Sequence, residues 1–388
     1  METIVYLSGM RWDCMPGTDR LLVEALACDG PVLWVDQPAP VSRYKDVRHH
    51  VLNSLRGITE RAGRNVQRLR TPAPPGFSKP LIRPSTEAIA MRCIELAVGR
   101  SGRSVAGVVN ASPIMPFPSR LGGTRLLHVT DDWLAAADLI GFSQAFLRQS
   151  LESNIESANI ITAVSEGLAS KISDLCGRPV EVLPNGCRRP GDTVVDLARR
   201  RPIAALVGQL NERLNLDALE SLADTGTKIL VLGPRSETDP STARRLDALL
   251  CRRNVDWRGQ VAPWEVPQLL QTVSVGLTPY ADTEFNRSSF PLKTLEYLAA
   301  GVPVVATDLP STRWVDCSAI AIARSPSEFA GLVQATMATS LTLQQRKEMH
   351  DVANSNSWGV RADCVRSMLG RNRQSNEGSP SDTTPRRS

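Results

Sequence analysis

Residues 284–310 read EFNRSSFPLKTLEYLAAGVPVVATDLP. An apolar run from Ser274 to Leu277 precedes them and closes at Pro279. A polar loop with Asn286, Arg287, Ser288 and Ser289 comes next. Proline suits a first helical turn because its φ is already fixed, so a helix is expected from Pro291. Leu292, Leu295, Tyr297, Leu298 and Ala299 give that helix an apolar face, and Gly301 supplies the left-handed residue that ends it. Val302 to Ala306 reads as a buried strand. Strand, polar loop, helix, glycine, strand is the working unit of an open α/β sheet.

In such sheets ligands bind beyond the carboxyl ends of the strands. Free amides and the positive end of a helix dipole suit a phosphate there, and Ser288 and Ser289 add hydroxyl donors. Lys293 and Glu296 are three apart and share one helix face. A cation beside a carboxylate fits a ligand with phosphate at one end and sugar hydroxyls at the other. An exposed ion pair accounts for the spacing equally well.

The segment PLKTLEYLAAGVPVVAT closely resembles the donor-site helix of GT-B glycosyltransferases of the family 4 type. There a glutamate, seven residues and a second glutamate precede A-x-G-x-P-V-V. Glu296 matches the second glutamate, to which the resemblance gives the donor ribose. The first falls at Ser288, a departure from the family. Lys293 is also unusual for the broad family. The P-x-K-x-x-E-Y pattern is similar to a subgroup of teichuronic acid-type transferases.

The 388 residues exceed one ordinary core and fit two domains. No apolar run is long enough to span a membrane, and METIVYLSGMRWD lacks the basic start and apolar core of a signal peptide. The eight cysteines are scattered without C-x-x-C, and with four histidines they form no zinc pattern. Reduced cysteines in a cytoplasmic protein are expected. The net charge of +5 allows an anionic partner without requiring one, and no nucleic-acid partner is expected.

From the amino end, Thr3 to Leu7, Arg20 to Ala27 and Pro31 to Val35 read as strand, helix, strand, without G-x-G-x-x-G. The loop after the first strand carries Trp12 and Asp13. By the resemblance it lies on the acceptor side, where Trp12 can stack on a sugar; a packing tryptophan is the equal alternative. Arg43 to Arg70 holds eight basic residues against Asp46 and Glu60. The positions 48, 51, 52 and 55 have helical spacing, so the stretch is either a solvated basic face or a peripheral anchor on an anionic membrane. Leu126 to Val129 is a strand that leads to Asp131 and Asp132.

A-V-S-E-x-L from Ala163 and V-L-P-N-G from Val182 resemble the end of a first GT-B domain. After a charged connector from Asp192 to Arg201, Ile203 to Val207 opens a second set of alternating strands and helices. Its first turn is Gly208-Gln209-Leu210-Asn211-Glu212-Arg213. The S-W-x-x-R-A segment from Ser357 resembles a closing helix, and residues 371–388 read as a disordered polar tail.

The resemblance therefore implies α/β architecture of the GT-B kind, two doubly wound Rossmann-like domains facing across a cleft. The expected bounds are 1–195 for the acceptor-side domain, 196–356 for the nucleotide-sugar domain, 357–370 for the returning helix and 371–388 for the tail. It implies transfer of a sugar from a nucleotide-sugar donor to a cell-surface glycan or lipid-linked acceptor, with retention. The expected protein is cytoplasmic, peripheral at the inner face of the membrane. Donor contacts are expected from Gly208, Arg213, Ser288, Ser289, Lys293 and Glu296. Gln209 stands where the family has a cation, so Arg213 and Lys293 are expected to neutralise the diphosphate together, without metal or other cofactor. Asp131 and Asp132 are the candidates to orient the acceptor or steady the sugar. A helix cap is the alternative for either, and His128 is close by but liable to burial in its strand. Two other readings use the same residues: a GT-B nucleotide-sugar epimerase, and a degenerate sugar-binding scaffold marked by Ser288 and Gln209.

Overall fold

The computed structural model describes residues 2–43, 46–190, 200–290 and 292–377. Pro291, most of the connector from Asp192 and residues 378–388 of the expected tail lie outside them. The chain divides into two compact units: 1–164, 169–183 and 361–388 in the first, and 165–168 with 184–360 in the second.

The first unit contains β1 (Thr3–Leu7), α1 (Thr18–Leu26), β2 (Val32–Val35), β3 (Ala39–Pro40), α2 (Val47–Leu55), β4 (Glu60–Gly63), β5 (Val66–Leu69) and β6 (Pro72–Ala73). It continues with α3 (Arg83–Ser101), β7 (Val105–Asn110), β8 (Thr124–Val129), α4 (Ala137–Ile140), α5 (Gln144–Ser157), β9 (Ile160–Ala163), α6 (Glu166–Cys176), whose first turn falls in the second unit, and β10 (Glu181–Val182). Eight strands form one sheet in the order β10-β9-β8-β7-β1-β2-β5-β4, parallel except for the β4–β5 pair. β1 and β2 are buried along their whole length, as both-face coverage of a parallel sheet requires. The order reverses between β1 and β7, and there a Cβ on Gly9 would stand 3.0 Å from the Ala111 carbonyl.

The second unit contains β11 (Arg201–Val207), α7 (Leu216–Asp224), β12 (Lys228–Leu232), α8 (Pro240–Leu250), β13 (Val255–Trp257), α9 (Val266–Leu270), β14 (Val273–Thr278) and α10 (Glu284–Ser288). Then come α11 (Leu292–Ala299), β15 (Val304–Thr307), α12 (Pro310–Trp314), β16 (Ile320–Ala323), α13 (Pro326–Ala338), α14 (Leu343–Ser355) and the first three residues of α15 (Trp358–Glu377). Its six strands are all parallel, in the order β13-β12-β11-β14-β15-β16. The order reverses between β11 and β14, so their carboxyl ends form the switch point at which such sheets bind ligands.

Three differences from the sequence reading have physical causes. The loop expected before the donor helix contains a helical turn, α10, capped by the Thr283 hydroxyl. The basic stretch is a helix only to Leu55; Val66–Leu69 is a strand of the main sheet, and its Arg68 is 2% exposed. The last helix runs on to Glu377, seven residues into the expected tail. From residue 361 it belongs to the first unit, where the Leu369 side chain packs on Gly107 and its carbonyl accepts from the Thr124 hydroxyl at 3.0 Å. A Cβ on Gly107 would come within 2.7 Å of Leu369, so the glycine is a steric requirement of that docking.

Candidate active site

The carboxyl ends of β11 and β12 are bare backbone. Gly208 has φ +145°, with open space where a Cβ would stand. Gly233 has φ +149°, and a Cβ there would overlap the Gly208 carbonyl. A ligand can therefore approach the turn at Gly208 closely.

Across the switch point, the loop after β11 is stitched to the loop after β14. Asn286, 2% exposed, donates from Nδ2 to the carbonyls of Arg213 (3.0 Å) and Ala281 (2.8 Å), and its Oδ1 accepts from Arg213 Nε at 2.9 Å. The Arg213 guanidinium lies over the rings of Phe285 (4.7 Å) and Tyr280 (5.4 Å). Arg213 is thus half-buried and aimed, while its two terminal nitrogens have no partner among the described residues. Arg213 is legible in the sequence and Asn286 is not, because a buried asparagine inside a polar run carries no spacing signal.

On α11, Lys293 Nζ and Glu296 Oε2 pair at 2.7 Å, with side chains 27% and 25% exposed. Tyr297 turns the other way. Its ring covers Gly276, where a Cβ would meet it at 2.4 Å. Its hydroxyl accepts from the Val207 amide and donates to the Ala205 carbonyl, both at 2.9 Å. Burial pushes the Tyr297 phenol far above its ordinary pKa, so it stays neutral. One residue of the E-Y pair faces outward and the next locks the helix to β11 and β14. Ser288 and Ser289, expected as hydroxyl donors to the ligand, are 8% and 2% exposed, which leaves little side-chain surface for one.

In the first unit the expectation for Trp12 requires correction, while Asp13, 49% exposed, is engaged by arginines. Trp12 is 9% exposed, set edge-on to Trp34 at 5.0 Å, with the Arg20 guanidinium 4.4 Å over its ring. It packs, and offers no open face to a sugar. Asp13 is bound by Arg68 through both oxygens at 2.7 Å and by Arg70 at 3.1 Å. Hydrogen bonding from Arg68, against a burial penalty, lowers its pKa to about 2. The buried Asp36 completes that network, accepting from Trp34 Nε1 at 2.7 Å and from Arg68 Nε at 2.9 Å.

Asp132, proposed from sequence as catalytic, is also structural. Its Oδ1 accepts from the Ala135 amide at 3.1 Å and its Oδ2 pairs with Lys171 at 2.7 Å, with the side chain 3% exposed. Asp131, beside it, is partly exposed and keeps its candidacy. His128 is enclosed in β8 as strand alternation suggested, and burial lowers its pKa to about 4.

Residues 201–338 match the family model described as glycosyl transferases group 1. Over 171 residues the chain is 29% identical to a Bacillus subtilis (strain 168) protein named as a teichuronic acid biosynthesis glycosyltransferase, TuaH. That match spans 41% of this chain and 42% of the relative, less than half the length of either. Among solved structures, sucrose-phosphate synthase from Thermosynechococcus elongatus superposes with a TM-score of 0.70 at 14% identity, covering 98% of this chain and 100% of that one. HepE of Anabaena, solved with UDP and glucose, gives 0.64 at 14% identity, covering 95% and 99%. At such identities the likeness is one of fold. The chain has the GT-B fold, and its residues 201–338 match the glycosyl transferases group 1 model.

Proposed function

We propose that this protein is a glycosyltransferase that moves a sugar from a nucleotide-sugar donor to a cell-envelope glycan or lipid-linked acceptor, with retention and without a metal. The observation that carries the reading is Arg213: a half-buried guanidinium, held by Asn286 and two aromatic rings at the switch point, with its terminal nitrogens unpaired among the described residues. Such a cation is preorganised for an anion. Gly208 leaves room for a diphosphate, and the first turn of α11 adds Lys293 at a helix N-terminus, where anions are favoured. As the bond from sugar to diphosphate breaks, charge grows on the leaving group. Fixed donors stabilise that charge more than they stabilise the ground state. Glu296 is the ribose acceptor in this reading, and Asp131 is the acceptor-side candidate. The likeness to TuaH, and the UDP and glucose bound by HepE, agree with an envelope role and a nucleotide donor.

The reading also places unit one on an anionic membrane surface through α2 and the turn that follows. Leu52, Leu55 and Ile58 are 50%, 47% and 41% exposed, beside exposed Arg48, Arg56, Arg61 and Arg64. Arg68 and Arg70 are taken up by Asp13, Asp36 and Glu60 and do not contribute.

The test is a product assay with UDP-, GDP- and dTDP-sugars, envelope lipid extract as acceptor, and excess chelator. Labelled sugar in the lipid fraction, undiminished by chelator, is the expected result. Isomerised donor without acceptor would favour an epimerase, and no turnover of any donor would favour a scaffold.

A further inference from the structure

Ser288, Ser289 and Phe290, the last residue of α10 and the two after it, lead from the helix that orients Arg213 towards α11, which carries Lys293 and Glu296. Their carbonyls are held at both ends by residues more than a hundred positions earlier. The Ser165 hydroxyl donates to the Ser288 carbonyl at 2.5 Å, and Asn185 Nδ2 donates to the Phe290 carbonyl at 3.0 Å. All five residues from these two groups are buried.

Each contact is itself anchored. Ser165 Oγ also accepts from the Leu168 amide at 3.2 Å, so the hydroxyl is used as donor and acceptor at once. Asn185 precedes Gly186, which fits only because it lacks a Cβ: one would stand 2.9 Å from Trp358. Cys187 then pairs with the same segment, donating its amide to the Asn356 carbonyl and accepting from the Trp358 amide, both at 2.9 Å. The P-N-G turn is thereby fixed before it reaches Phe290. On its other side Phe290 meets Trp314 edge-on at 5.1 Å.

A helix end leaves its last carbonyls unpaired, and a linker with free carbonyls at both ends can swing. Swinging here would change the spacing between Arg213 and the first turn of α11. Electrostatic stabilisation works when its donors are in place before the charge develops. We propose that Ser165 and Asn185 are positioning residues for the donor site: they fix the 288–290 linker and so set α11 against Arg213. The proposal rests on the donor-site reading of α11.

Two measurements separate the proposal from that reading. In the ligand-free protein, hydrogen exchange of peptides spanning 289–297 should quicken roughly tenfold in Ser165→Ala and Asn185→Ala, the loss of one buried hydrogen bond, and stay at the wild-type rate in Ser165→Thr. By calorimetry, UDP should bind both alanine variants roughly tenfold more weakly, with Ser165→Thr restoring affinity. If Ser165→Ala lacks a cooperative melting transition, Asn185→Asp, which replaces only the donating amide, carries both measurements. Wild type that binds none of UDP, GDP and dTDP overturns the donor reading, and the exchange data then decide the clamp alone. Wild-type exchange in the variants overturns the clamp. Faster exchange with unchanged UDP affinity reduces these residues to a structural role and overturns the positioning claim.

Discussion

Glu296 and Lys293 pair at 2.7 Å, and under the proposed function a donor divides them, its ribose taking the carboxylate and its diphosphate the ammonium. Glu296→Ala removes the ribose partner and frees Lys293. Donor affinity is expected to fall by about 1.5–3 kcal/mol, the worth of hydrogen bonds to a charged group, or about ten- to hundredfold in Kd. Equal donor affinity in a folded variant would refute the ribose assignment. At this scale the sequence was uneven. Lys293 and Glu296, three apart, share one helix face as their spacing implies. Partners distant in sequence are not legible there: Trp12 packs on Trp34, one of its two expected settings, and Asp13 pairs with Arg68, and neither partner is a neighbour in the chain.

Whole elements were easier to read. β1 falls on the residues expected of it, because a buried parallel strand is a continuous apolar run bounded by turns. β5 escaped notice because Gln67 and Arg68 break its pattern, and only the carboxylates of Asp13, Asp36 and Glu60 make a buried arginine tolerable there. Between β8 and β9, the Thr162 hydroxyl donates to the Leu127 carbonyl and so accepts from His128, which places the imidazole proton on Nδ1. The ring folds neutral, with its pKa lowered by burial to about 4 against 6.5 unfolded. Its contribution to stability is full above about pH 6.5 and is lost as pH falls through about 4. The gap corresponds to at most about 3 kcal/mol. Melting temperature of wild type should therefore drop more steeply over that window than that of His128→Gln; parallel curves would show that His128 is not the group responsible.

For the molecule in its surroundings, the question is what α2 faces. Each of Arg48, Arg56, Arg61 and Arg64 near an anionic bilayer adds about 1 kcal/mol, screened within a Debye length of roughly 8 Å at physiological salt. The protein should sediment with anionic but not neutral vesicles at low salt, and the four arginines changed to glutamate should release it. Wild type left in the supernatant of anionic vesicles would return α2 to a solvated face and favour a soluble acceptor. The two-unit α/β plan was legible from alternating strands and helices, whereas the length of α15 was not: residues 371–377 carry no apolar pattern. That helix also imposes an order in time. Thr124 and Leu369 are 245 residues apart. A ribosome adding about 5–20 residues per second reaches Leu369 roughly 12–50 s after Thr124. Throughout that interval β7 waits with Gly107 uncovered, so the first sheet to be synthesised is the last to be sealed.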